Sequence, residues 1–190
     1  MSNDSSTGGF LSPVSTSTPV EGKDLQDFFH GLLVGVTGLS AQSVIPSWQA
    51  NPQNLLSGNW LAFRFSTRKT NQSPYITHDG SGNGSSTVTK WEEIDFTASF
   101  YGDLADSYAG ILADGLMIGQ NRDALFTAGV ALTKVGEAKQ VPVMIKELWV
   151  YKVDLELTFT RQVQRTYPIL NVQTVDFSVD TESITLTTTV

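Results

Sequence analysis

The sequence has no cysteine among its 190 residues and only two histidines. Without cysteine the chain cannot form disulfides, thiolate metal sites or a thiol nucleophile. Charged residues make up only 16%, and 19 acidic residues outnumber 12 basic ones, which gives a formal net charge of −7. Broad nucleic-acid binding is therefore not expected, because non-specific affinity depends on cations that neutralise phosphates.

Long apolar runs are also missing from the sequence. No stretch reaches the ~18–20 uninterrupted apolar residues of a membrane span. The N-terminal residues lack the basic and apolar regions of a signal peptide. We therefore expect no membrane association, and assembly in the cytoplasm. A hydrophobic content of 40% over this length favours one domain. We place this domain at 21–167, between a flexible Ser/Thr/Gly-rich arm at 1–20 and a C-terminal arm or edge strand at 168–190.

Hydrophobic spacing predicts two amphipathic helices. The apolar face of the first comprises Leu25, Phe28, Phe29, Leu32, Leu33 and Val36. These residues recur at the three- and four-residue spacing of a helix. The second helix begins at Asp103, a suitable N-cap, and ends near Gly119.

Alternating apolar and polar residues predict strands at 61–65, 94–100, 126–133 and 148–165. The fold expected from these elements is α+β, with a mainly antiparallel sheet of about four to five strands, two amphipathic helices on one face and extended terminal arms. The last strand would be ~60 Å long at ~3.3 Å per residue, so we expect it to overhang its domain and pair with another chain. Two shorter strands broken near Thr160 are the alternative.

No cluster of reactive side chains points to catalysis. His30 lies on the first helix and His78 in a polar loop, and neither has a serine elbow nearby. The segment 79–84 resembles the opening of a calcium loop, D-x-S-x-N-G, but Lys90 occupies the position that requires a bidentate carboxylate. We predict a protein that is not an enzyme and has no cofactor, with calcium binding at 79–84 left open.

The tryptophans have several possible roles. Trp48 lies in a proline-bracketed loop, where core packing and a subunit contact are equally consistent, whereas Trp60 leads into a strand and favours the core. A carbohydrate-binding module is an alternative function. It would use Trp48, Trp91 or Tyr75 as an exposed stacking platform on a monomer.

The connection between the first helix and the first long strand carries a family resemblance. It contains G-x-TGL from Gly35, V-I-P-x-WQ-x-NP from Val44 and NW-x-AF from Asn59. These motifs, followed later by WVYKVDLELTF from Trp149, resemble the neck or tail-terminator proteins of contractile-tailed bacteriophages. The likeness spans roughly 25–167.

The resemblance implies a structural virion protein of the phage neck, assembled in the host cytoplasm. Copies of the chain would form a ring, with a hexamer expected, that terminates the tail tube and joins it to head-completion proteins. DNA would pass through the lumen without specific binding, and the sheath protein is a further candidate partner. A tube or baseplate component is an alternative within the same class. The residues assigned to subunit or docking contacts are Trp48, Gln49, Trp149, Tyr151, Asp154 and Glu156.

Overall fold

A computed structural model of the chain describes residues 3–48, 57–71, 73–145 and 147–172. The helices are α1 (Lys23–Thr37), α2 (Ala105–Gly115) and α3 (Gly119–Thr127), with a 3-10 turn at Ala41–Ser43. The strands are β1 (Ser15–Thr16), β2 (Val44–Pro46), β3 (Trp60–Thr70), β4 (Tyr75–Asp79), β5 (Ser85–Tyr101), β6 (Val130–Gln140), β7 (Val143–Ile145), β8 (Leu148–Val150) and β9 (Lys152–Tyr167).

Seven strands form one sheet, and β7 pairs with β8 in a separate two-stranded ribbon. The main sheet runs β1-β9-β5-β3-β2, with β4 beside β5 and β6 beside β9. All pairs are antiparallel except β2 with β3. The expected α+β class with a mainly antiparallel sheet is confirmed. The described residues hold more strands than the expected four or five, and three α-helices where two were expected.

An aromatic cluster joins the helices to the sheet. Phe29 of α1 is fully buried, and its ring lies 5.0 Å from Phe96 of β5 and 4.9 Å from Phe159 of β9. Leu25 and Leu33 are buried on the same side of α1 as Phe29, as the helical spacing predicts. On β9 the residues Val153, Leu155 and Phe159 are buried on the core face, whereas Asp154 and Glu156 alternate with them on the opposite face of the sheet.

Two strand predictions are wrong in their bounds. The segment 126–133 was predicted as strand from its alternation, but α3 extends to Thr127 and β6 begins only at Val130. The segment from 148 does not run straight into the long strand, because the chain leaves regular pairing at Tyr151 between β8 and β9. Period-two alternation persists through both breaks, so the pattern alone could not reveal them.

The expectation that the long strand overhangs its domain is also wrong. β9 has 16 residues, and β5 pairs with it along the whole of its length. Its other edge is paired with β6 between Val153 and Arg161 and with β1 near Thr166. The long partner strand satisfies the backbone groups that we expected to be free. Within the described residues, the strands with a partner on one side only include β2, β4 and β6.

The segment predicted as an N-terminal arm lies along the end of β9. Ser15 and Thr16 form β1, and the Ser5 amide donates to the carbonyl oxygen of Pro168 over 3.1 Å. The residues up to Val172 continue past β9, while the rest of the predicted C-terminal arm, 173–190, falls outside the described residues.

Candidate docking and subunit interface

The β7–β8 ribbon is the most exposed apolar feature at the end of the sheet where β9 begins. Its side chains Leu148 and Trp149 are each 70% exposed, and Met144, which pairs with Trp149, is 54% exposed. The amide of Val141 donates to the carbonyl oxygen of Lys152 at the base of the ribbon. A two-stranded ribbon is marginal by itself, and exposed apolar side chains of this size are typical of interaction sites.

Tyr151 and Trp149 do not share a role, although both were assigned to subunit or docking contacts. Tyr151 is half-buried and packs against the main core. Its carbonyl oxygen accepts a hydrogen bond from the Gly102 amide over 3.1 Å, which fixes the break between β8 and β9. Tyr151 therefore anchors the ribbon to the domain, and Trp149 points away from the core.

Asp154 is held in a fixed orientation on the polar face of the sheet. It accepts hydrogen bonds from Ser99 Oγ over 2.6 Å and from Lys152 Nζ over 2.7 Å. Its side chain is 19% exposed, and that of Lys152 18%. Lys152 Nζ also lies 5.9 Å from the centroid of the Tyr101 ring, which stacks on Trp60. Burial, with the nearby negative charge of Asp154, raises the pKa of Tyr101.

Glu156 lies two residues further along the same face and lines a polar cavity of about 350 Å³. We call this cavity the sheet-face trough; its other polar lining residues are Arg64, Ser66, Asp95, Thr97, Lys134 and Thr158. Glu156 pairs with Lys139 across 3.3 Å and Asp95 with Lys69 across 3.4 Å. Gly136 allows the close approach of β6, because a Cβ there would lie 2.9 Å from the carbonyl oxygen of Glu156.

Trp48 lies far from these residues in the sheet order, just beyond β2. The Ser47 amide donates to the carbonyl oxygen of Phe63 over 2.7 Å, and the Trp48 side chain is 87% exposed. Gln49, assigned to the same contact, falls outside the described residues. The six assigned residues therefore do not form one patch: the structure brings Asp154 and Glu156 together, buries much of Tyr151, and places Trp48 and Trp149 on separate surfaces.

The loop at 79–84 holds the C-terminal segment. Asn171 Nδ2 donates to the carbonyl oxygens of Gly80 and Gly82 over 2.8 and 3.2 Å. The backbone amide of Asn171 donates to the carbonyl oxygen of Asn83. His78 Nε2 lies 2.9 Å from Asn171 Oδ1, where it forms a hydrogen bond. The loop that resembles a calcium loop thus uses backbone carbonyl oxygens to accept hydrogen bonds from the side-chain amide of Asn171. Within the described ranges no group of three or more His, Cys, Asp or Glu residues could hold a metal.

A buried ion pair joins β9 to β5 beside the residues that precede α1, and we did not anticipate it. Arg161 Nε donates to Glu92 Oε2 over 2.8 Å, and the two side chains are 3% and 5% exposed. Burial alone would raise the pKa of Glu92, but the hydrogen bonds and charges of Arg161 and Lys90 outweigh it and lower that pKa. The sequence did contain one sign of this ion pair, because Arg161 occupies a core-facing position in the alternating pattern of β9.

Arg161 also fastens the N-terminal segment. Its Nη1 donates to the carbonyl oxygen of Pro19 over 2.5 Å, and its Nη2 lies 3.5 Å from Glu21 Oε1. Glu21 pairs with Arg165 as well. Burial raises the pKa of Glu21, but hydrogen bonding and the two arginine charges lower it overall. The start of α1 is therefore tied to β9 by ionic contacts at half-buried and buried positions.

Aromatic residues proposed for sugar stacking have mixed positions. Trp91 and Tyr75 are each 51% exposed. Trp91 shares a pocket of about 190 Å³ with Phe126 of α3, which is 77% exposed. Trp48 is separated from them by β3 and cannot join the same platform.

Two features of this surface are suited to binding a partner protein: the apolar β7–β8 ribbon and the charged face that carries Asp154 and Glu156. In the portion described, no helix combines the length and hydropathy that crossing a bilayer requires. A comparison with curated proteins gave no match. The family model for phage neck terminator proteins matches residues 23–184, well over half of the sequence. The chain therefore belongs to the phage neck terminator protein family, whose members are structural proteins of the phage neck.

Proposed function

We propose that copies of this chain form a ring of six that terminates the tail tube and joins it to the head-completion proteins. Family membership supports a structural role in the neck. The observation that carries the docking part of the proposal is the β7–β8 ribbon, whose Leu148 and Trp149 side chains are exposed for 70% of their surface. In this function the ribbon contacts the adjoining tube or neck protein.

Ring formation is the second part of the proposal. Strand edges on β2, β4 and β6 and the exposed Trp48 offer contacts that a neighbouring copy can cover, and a closed ring leaves none of its subunit contacts unfilled. DNA passes through the lumen without specific binding, which is consistent with a net charge of −7. The chain performs no catalysis in this function, and the sheath protein is a further contact in the virion.

Trp149→Ala tests the docking role. The side chain contributes little to the core because it is 70% exposed, so the free energy of unfolding should change by no more than ~0.5 kcal/mol. Loss of a central aromatic anchor typically costs at least ~2 kcal/mol of binding, about 30-fold in affinity. We expect the variant to leave separate heads and tails in a complementation assay, and to bind the adjoining tube or neck protein about 30-fold more weakly.

Phe126→Ala is the matched control, since it removes an aromatic side chain that is 77% exposed on a different surface. It should leave head-to-tail joining unchanged. Normal virion yield from Trp149→Ala would contradict the docking role of the ribbon. Glycan binding that is lost on Trp91→Ala, with normal joining, would instead support the carbohydrate-binding alternative.

A further inference from the structure

The outer edge of β4 is an unprotected strand edge. Within the described ranges β4 pairs with β5 in continuous register on one side, and no strand lies beside it on the other. All five of its residues are exposed, including Ile76 at 67% and Tyr75 at 51%. The backbone N–H and C=O groups on the outer side of such a strand are free to pair with a further strand.

The edges of β2 and β6 carry features that discourage the addition of a strand, and β4 does not. β6 has two positions where its register with β9 shifts, and it contains Lys134 and Lys139. β2 has only three residues and ends in Pro46. Bulges, lysine, proline and short length are the usual protections of an edge strand. The β4 sequence, YITHD, has neither lysine nor proline and is rich in residues that favour strands.

The chain itself comes to this edge after β9. Its backbone crosses the end of β5, and the Asn171 amide donates to the carbonyl oxygen of Asn83 over 2.9 Å. The side-chain oxygen of Asn171 accepts a hydrogen bond over 2.9 Å from Nε2 of His78, which belongs to β4. The next residue, Val172, is 82% exposed. The chain is therefore held at the loop end of β4 when it leaves the described region.

The sequence that follows is suited to pairing with β4. In residues 173–179, QTVDFSV, the apolar residues Val175, Phe177 and Val179 alternate with polar ones. No lysine, arginine, proline or glycine occurs from 173 to 184, where the family match ends. The five residues of β4 extend over ~17 Å at ~3.3 Å per residue. The seven residues of 173–179 are thus enough to cover the whole edge.

We propose that residues 173–179 add to the outer edge of β4 in the same chain, as a strand antiparallel to β4. The direction follows from the exit point, because the segment begins at the loop end of β4 and runs back toward Tyr75. The choice of the same chain follows from the contact between Asn171 and His78, which starts the segment beside its target. A connection this short gives an effective concentration on the order of millimolar, against which a neighbouring copy must compete.

This contact does not depend on the proposed ring. The added strand becomes the outer edge on this side of the sheet, so a neighbouring copy can still contact the domain there. It also gives the 79–84 loop a purpose: by holding Asn171, the loop places the start of the segment at the edge that the segment covers.

Hydrogen exchange followed by mass spectrometry tests the contact in the full-length chain. Peptides that cover Tyr75–Asp79 and 173–179 should both exchange slowly, because strand pairing protects amides on each side. Val175→Pro with Phe177→Pro removes two donors from the segment. The outer-side amides of β4 should then exchange at least about tenfold faster. The matched control, Thr187→Pro with Thr189→Pro, lies beyond the pairing segment and should leave β4 exchange unchanged.

Cross-linking distinguishes the same chain from a neighbour, and the absence of cysteine in the sequence makes it specific. A chain with Thr77→Cys and Asp176→Cys is treated with a short thiol-reactive linker in a large excess of the natural chain. Linkage should occur within one chain, and denaturing electrophoresis separates that product from a linked dimer. The control pair replaces Thr77→Cys by Ser107→Cys, an exposed position on α2, and should be linked at least tenfold less.

Three results would overturn the contact: fast exchange of the outer-side β4 amides in the natural chain, equal β4 exchange in the two proline variants, or linkage between chains in place of linkage within one. Slow exchange in peptides from β9 establishes that each variant is folded. Val175→Gly with Phe177→Gly replaces the proline variant if that protection is lost, because glycine also weakens a strand. None of these results bears on Trp149→Ala, whose joining assay tests the docking role separately.

Discussion

Replacing Arg161 by methionine should destabilise the domain strongly. The guanidinium is 3% exposed and holds Glu92 Oε2 at 2.8 Å and the Pro19 carbonyl oxygen at 2.5 Å. Arg161→Met leaves the Glu92 carboxylate buried with only Lys90, at 3.2 Å, as a charge partner. Removing one member of a buried pair costs about 3–5 kcal/mol. That is a large part of the ~5–15 kcal/mol by which domains are stable.

The double variant Arg161→Met with Glu92→Leu separates pairing from packing. Apolar residues of similar volume often replace a buried ion pair at little or no cost, so the double variant should recover most of the lost stability. Urea unfolding near pH 7, followed by circular dichroism and tryptophan fluorescence, measures each free energy. A single-variant cost under ~1 kcal/mol, or a double variant less stable than the single one, would refute the reasoning.

The same contacts make an acid-dependent prediction. The pKa values of Glu92 and Glu21 are lower in the folded chain than the ordinary value of 4.5. Their contribution to stability is therefore fully present above pH 4.5 and is lost as pH falls through the folded pKa values. In Arg161→Met the buried Glu92 carboxylate no longer has its arginine, so burial raises its pKa and the group takes up a proton as the pH falls. The cost of this substitution should therefore shrink between about pH 7 and pH 4.

Two further substitutions test the packing and the loop that holds Asn171. Phe29→Ala should cost about 3–5 kcal/mol in urea unfolding because the ring is fully buried among four other aromatic rings, and a cost as small as that of exposed Phe126→Ala would contradict this. Gly84→Ala should speed amide hydrogen exchange at Asn171, since a Cβ there would lie 2.7 Å from the Asn171 amide nitrogen. Gly82→Ala, also at positive φ but with no atom within 4 Å, should change this exchange much less; equal effects would argue against the clash.

The sequence alone predicts the buried face of those helices and strands whose apolar residues recur with the period of the element. The α1 residues Leu25, Phe29 and Leu33 lie on the sheet as their spacing predicts. The core face of β9 follows from its alternation, with Val153, Leu155 and Phe159 buried. The helix–sheet layering could be inferred for the same reason, because each element shows which side must be removed from water.

Contacts distant in sequence were beyond this reasoning. The partner of Arg161 is Glu92, 69 residues away, and nothing local selects it among the acidic residues. The break at Tyr151 depends on a backbone hydrogen bond from Gly102, so alternation alone could not reveal it. The pairing of β5 with the whole of β9 likewise removed the overhang that the length of the strand suggested.

The most direct test of the central claim is a cryo-EM reconstruction of the neck of a phage that carries this chain. We expect a closed ring of six copies at the head-proximal end of the tail tube, with the β7–β8 ribbons in contact with the adjoining protein. Density for the chain as isolated copies, or its absence from the junction of head and tail, would contradict the account.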